Sequence, residues 1–180
     1  MFRIALIAAA LVAGSAHAQD LDALKVDTRK NALPVLPKVV GMMQETVANK
    51  GVVEAIPVCK ESAPALLKAQ SVKTGWDMRR VSLRTRNPER GTPDVWEARQ
   101  LADFNIRAAN GEKVETLETG EVVTENGKQV YRYIRAIPVG DVCLQCHGPA
   151  DKIDAGLKAQ LAKSYPHDTA FGYAKAVSWG

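Results

Sequence analysis

The run Cys143-Leu144-Gln145-Cys146-His147-Gly148 constrains this chain more than any other stretch. Two thiols three positions apart, followed at once by an imidazole, suit covalent attachment of a haem. Each thiol adds to one vinyl group of the porphyrin, and the histidine takes one face of the iron. The spacing thus singles out Cys143 and Cys146 as the thioether-forming residues of one haem c and His147 as its proximal ligand. A Cys-x-x-Cys pair also occurs as half of a zinc site or as a thiol redox pair. The zinc reading needs more ligands, and outside the motif and the first eighteen residues only Cys59 and His167 remain, far apart in sequence. The redox pair usually opens the helix of a βαβ unit, which is not the setting here.

Attachment of this kind takes place outside the cytoplasm, so the haem reading demands an export signal. Met1 to Ala18 has the form of one: Arg3 as the charged start, an apolar stretch from Ile4 to Val12, and Ala16-His17-Ala18 as the cleavage signal. The expected location is the bacterial periplasm. The apolar run is shorter than the roughly 20 residues of a membrane span, and no later stretch approaches that length, so no span is expected in the mature form. Cleavage leaves residues 19–180, enough for a single domain with one core. The formal charge of +4 loses Arg3 with the signal, and two haem propionates offset most of the remainder. The basic balance therefore does not point to nucleic acid.

Hydrophobic periodicity predicts helix from Leu21 to Lys50, interrupted by Pro34 and Pro37, with Leu36, Val39, Val40, Met43 and Val47 on one face and a stop at Gly51. A second helix is expected over Val52 to Glu61, where Val52, Ile56 and Cys59 share a side and turn Cys59 inward. Trp76 to Arg84 alternates like a strand. Thr92, Pro93 and Asp94 read as the N-cap, first-turn proline and dipole charge of a helix reaching Ala108, with Val95, Ala98, Leu101, Phe104 and Ala108 inside. Two strand-like runs between Val114 and Val139 meet across Asn126-Gly127, the signature of a type I′ hairpin turn. A last helix, Asp151 to Lys163, spaces Ile153, Leu157 and Leu161 by four, and Tyr165-Pro166 ends it. Helices followed by strands interleaved with helix give the class α+β.

Small electron-shuttling c-type domains carry the motif early and a methionine ligand after it. Here Met42, Met43 and Met78 all precede it and none follows. Four-helix-bundle cytochromes place the motif late and are the rival reading, against which stand the Asn-Gly hairpin and the run Val130 to Val139. Cys59 is the odd cysteine of an exported protein; it is open to burial, to an intermolecular disulfide or to a metal. His167 is an alternative sixth ligand or a surface residue. Arg79, Arg80, Arg84, Arg86 and Arg90 offer charges for the propionates or merely a solvated face. Trp76, Trp96, Tyr131 and Tyr133 are pocket lining or ordinary core.

The phrases IPVCKESAP (56–64), MRRVSLRTRNP with PDVWE (78–97), YRYIRAIPVGDVCLQCHG (131–148) and YPHDTAFGY (165–173) resemble a family of single-haem c-type proteins with a PAS-like fold. The resemblance implies a central antiparallel sheet flanked by N-terminal and connecting helices. It also implies that a cysteine thiolate from the upstream helix completes the iron, and the matching residue is Cys59. An anionic sulfur ligand implies a low reduction potential, and its loss on reduction would open a site for CO or NO. The implied roles are redox or diatomic-gas sensing, or electron transfer to a periplasmic partner. A peroxidase-like enzyme is disfavoured, since the residue expected over the iron is a coordinating thiol rather than an acid or base. Similar proteins continue past the GY into a final apolar strand, whereas this sequence stops at Gly180; either the protein is shortened or the sequence is truncated, and an exposed sheet edge would then invite pairing.

Overall fold

A computed structural model describes residues 12–175, with side chains from Leu21 onward. The side chains of the expected export signal, and residues 176–180, lie outside the described residues. Two prolines divide the N-terminal helical region as expected. Helix α1 (Val12–Ala32) ends before Pro34, which precedes α2 (Val35–Lys50), and Pro37 falls in the first turn of α2, where its missing N–H breaks no bond. Gly51 ends α2 with φ of 88°. Val39, Met43 and Val47 turn toward the protein, but Leu36 is exposed and Val35 is buried instead.

Beyond Gly51 the backbone tightens and then widens. Val53–Ala55 form a 3-10 turn and Val58–Ser62 a π turn, closed by the Ala63 N–H donating to the Val58 carbonyl, before α3 (Ala63–Thr74) resumes α geometry. The region read as one regular helix is therefore helical but irregular, and the irregularity falls on Cys59. Residues 76–84 are not a strand. Their backbone groups pair singly with scattered partners: Met78 N–H with Ser71 Oγ at 3.0 Å and Ser82 N–H with the Gly91 carbonyl at 3.1 Å. Alternation of side chains cannot make a ladder without a neighbouring extended chain.

A short helix α4 (Pro88–Gly91) leads to α5 (Val95–Ala109). The cap of α5 is Asp94, not Thr92. Its carboxylate accepts from Glu97 N–H at 2.9 Å while Glu97 Oε2 accepts from Asp94 N–H at 2.8 Å, a reciprocal capping box. Leu101 and Phe104 are buried as expected and Ala108 packs against the same core, joined by Glu97 of the cap, whereas Val95 is 90% exposed. The hairpin follows as β1 (Glu118–Glu125) and β2 (Lys128–Arg135), in antiparallel register from Glu118 opposite Arg135 to Glu125 opposite Lys128. Asn126 (φ 51°) and Gly127 (φ 76°) supply the two positive angles of the turn. The chain is α+β, but among the described residues the expected central sheet is this two-stranded ribbon. Phe104, Val114, Leu117 and Ala136 pack beneath it.

Helices α6 (Asp141–His147) and α7 (Ala155–Ser164) complete the chain. Helix α7 begins later than the expected Asp151, with Asp154 as its cap; Leu157 and Leu161 are buried as their spacing predicts, and Ile153, ahead of the helix, is buried with them beside Ile56, Cys146 and Tyr165. A third cluster, Val139, Ala170 and Tyr173, supports the other side of α6 through Cys143 and Leu144. The motif helix is thus held between two apolar clusters.

Glu118 ties α1 to the hairpin. Its nearly buried carboxylate accepts from Arg29 and from Tyr133 Oη at 2.6 Å, and lies 3.2 Å from Lys25 Nζ. These donors, Arg29 first, hold its pKa down to about 2 from 4.5. The folded value lies below the unfolded one, so the unfolded chain binds the proton more readily, and this contribution is complete above 4.5 and fades as pH falls toward about 2. Glu118→Gln is expected to lower stability by about 1–2 kcal/mol at neutral pH. Denaturant titrations should show the gap from the unaltered protein closing across that acidic window.

Candidate functional site

Cys143 and Cys146 lie one turn apart on α6, so both thiols face the same side, and His147 follows at the helix end. Gly148 stops the helix. A Cβ there would come 2.6 Å from the Leu144 carbonyl oxygen, so any other residue would have to displace the last turn. Cys143, Cys146 and His147 line a small cleft that is open to solvent at its mouth. Cys59 from the π turn and Met43 from α2 line it as well, with Ile56, Leu161 and Tyr165 forming apolar wall. The region read as an upstream helix therefore brings Cys59 to the motif across more than eighty residues of sequence.

The segment after α7 returns to clasp the motif. His147 Nδ1 donates to the Ala170 carbonyl at 2.8 Å, Tyr173 N–H to the His147 carbonyl at 3.0 Å, and Gly172 N–H to the Gly148 carbonyl at 2.9 Å. A proton on Nδ1 leaves the lone pair on Nε2, the tautomer a metal-ligating histidine needs. Burial, then the charges of Arg86 and Arg80, push the His147 pKa well below its ordinary value despite the bond to Ala170. At neutral pH its imidazole is therefore uncharged and able to donate an electron pair.

Arg86 is the hub of this end of the molecule. It lines the cleft, donates to the Cys146 carbonyl at 2.6 Å, and makes an ion pair at 2.9 Å with Asp168. Burial raises the pKa of the Cys59 thiol, while Arg80 and Arg86 pull it back by favouring the thiolate. The Cys146 thiol is raised mainly by burial as well.

Three other arginines of the basic run are engaged elsewhere. Arg79 bonds Glu97, Arg84 donates to the Phe171 carbonyl at 2.7 Å beneath the Tyr173 ring, and Arg90 donates to the Lys60 carbonyl at 3.1 Å. His167 is exposed and outside the cleft. The aromatics Trp76, Trp96, Tyr131 and Tyr133 also lie away from it. Trp76 meets Tyr131 edge-on and donates to Asp27 at 2.8 Å, and Trp96 donates to Glu121 at 2.6 Å. The aromatic of the cleft is Tyr165, which its place before Pro166 had marked only as a helix end.

The donor set fits a flat macrocycle better than a bare ion. The sulfurs and the imidazole surround a cleft, and among the described residues no three His, Cys, Asp or Glu side chains are grouped tightly enough to grip a metal directly. Two thiols on one helix face, a neutral imidazole beside them and a further thiol lining the same cleft are the parts that a covalently held haem uses.

A family model described as Tll0287-like (Tll0287) matches residues 6–176. Among solved structures, the cyanobacterial heme-protein Tll0287 is similar with a TM-score of 0.52 and 25% identity, over 68% of this chain and 67% of that one. No curated protein matches. The chain belongs to the Tll0287-like family.

Proposed function

We propose that this protein is an exported, single-haem c-type redox protein of low potential, working in redox or diatomic-gas sensing or in electron transfer. The observation that carries the reading is the convergence of Cys143, Cys146, His147 and Cys59 on one cleft. The similar solved structure is a heme-protein, which supports haem as the group bound here. Export to the periplasm rests on the signal-like Met1 to Ala18. The PAS-like arrangement belongs to the same proposal, with the hairpin supplying two strands of its sheet.

Cys143 and Cys146 would form the thioether bonds, His147 Nε2 would bind the iron on one face and Cys59 Sγ on the other. Bound there, a haem supplies one-electron chemistry at an iron whose potential a thiolate ligand drives down. The chain's own residues prepare this. The Ala170 carbonyl orients His147, the Arg80 and Arg86 charges favour an ionised Cys59, and Ile56, Leu161 and Tyr165 keep water from the sulfur. Cys59 must lose its proton to ligate, and burial sets a cost on that which the two guanidiniums oppose. CO or NO are the diatomic ligands proposed, and the partner is a periplasmic redox or signalling protein.

Protein matured in a host able to attach c-type haem should carry the mass of one haem, and Cys143→Ala with Cys146→Ala should abolish it. A mature chain without added mass defeats the proposal. Cys59→Ser should change the optical and EPR spectra of the ferric form and raise the reduction potential; unchanged spectra would remove Cys59 from the iron. Ferrous protein that keeps its ligation through a redox titration and binds no CO would leave electron transfer as the function.

A further inference from the structure

A second soft donor reaches the same cleft from a separate element. Met43, on α2, lines the cleft beside Cys59, and the Cys59 thiol donates to Met43 Sδ at 3.4 Å. The two sulfurs are in contact, so a metal within bonding reach of one lies next to the other. Methionine is often a gap-filler in cores, being unbranched and adaptable. Here, however, its sulfur abuts the proposed ligand thiol and opens onto the cleft that His147 faces. The same flexibility lets the thioether move by a rotamer change, without any shift of α2.

We propose that Met43 is the alternative sixth ligand of the haem iron, taking the position whenever the Cys59 sulfur leaves it. This rests on the haem reading above. The exchange changes no oxidation state. The iron–sulfur bond to Cys59 breaks with its electron pair kept on Sγ, which takes a proton from water, and a lone pair of Met43 Sδ forms the new bond. Loss of the thiolate then does not open the iron, and a diatomic gas has to displace a neutral thioether. Histidine–methionine ligation favours the ferrous state, where the thiolate favours the ferric, so the swap holds whichever state is reached.

The test compares full-length haem-loaded protein with Cys59→Ser, Met43→Leu and the double variant, by EPR and near-infrared magnetic circular dichroism. Cys59→Ser is expected to stay low-spin and to show a thioether-to-iron charge-transfer band, which disappears in the double variant as the iron becomes high-spin. Met43→Leu alone is expected to keep the ferric thiolate spectrum. A high-spin Cys59→Ser protein, or one indistinguishable from the double variant, overturns the assignment. A second measurement does not depend on the serine variant folding: Met43→Leu in the reduced protein should bind CO about tenfold more readily than the unaltered chain, because a competing ligand is gone. Equal CO binding also overturns it. Chains lacking covalent haem by mass would instead refute the underlying haem reading.

Discussion

The bond from His147 Nδ1 to the Ala170 carbonyl is the contact around which the candidate site is organised. It sets the tautomer, and it exists only because residues 168–173 return across the motif. That return is fastened at several points. Asp168 caps Ala170 N–H at 2.9 Å and pairs with Arg86, Thr169 N–H donates to the Thr85 carbonyl at 2.8 Å, and Tyr173 Oη lies 2.9 Å from Ser82 Oγ. The irregular residues 82–86, the motif helix and the returning segment therefore form one network. It explains why so few of these residues belong to regular elements: their backbone groups are satisfied by one another.

The electrostatic character of the cleft follows from the same network. Arg86 brings positive charge to a place that also holds three thiols and a neutral imidazole, and Arg80 adds to it. The effect on the two kinds of donor is opposite in form but common in result. The histidine is kept unprotonated, and the Cys59 thiol is drawn toward its anion against the penalty of burial. For the histidine, burial and charge act together; for Cys59 burial is the larger influence and its pKa stays above the ordinary value, the two guanidiniums only limiting the rise.

Much of the site was legible in the sequence because its chemistry is local. Three of its residues fall within five consecutive positions, and Asn126-Gly127 announces the turn before them through backbone sterics alone. Cys59 could be singled out as an unpaired thiol, with the family resemblance giving it a role. What pattern reasoning missed depends on partners distant in sequence. The alternation of 76–84 looked like a strand, but no extended neighbour meets it. Asp94 displaced Thr92 as cap because Glu97 can reach back to it, and so Val95 faces solvent. Met43 and Tyr165 read as core and as a helix end, and only the fold puts them in the cleft. Arg86 was one of five similar arginines, and its burial against Asp168 is what separates it from the rest.

The π turn at Val58–Ser62 has a bearing on what kinds of change the protein can absorb. An α-helix advances by about 100° per residue, and a π turn accommodates one residue more than an α turn would. The extra residue sets the phase between the helix segment that carries Ile56 into the core and the one that begins at α3. Replacing a side chain in this turn leaves that phase intact. Removing a single residue would let the segment relax to α geometry and swing Cys59 around the helix axis, away from the cleft. In divergence from a common ancestor, the residues around Cys59 in this turn should therefore vary in type while the stretch holds its length.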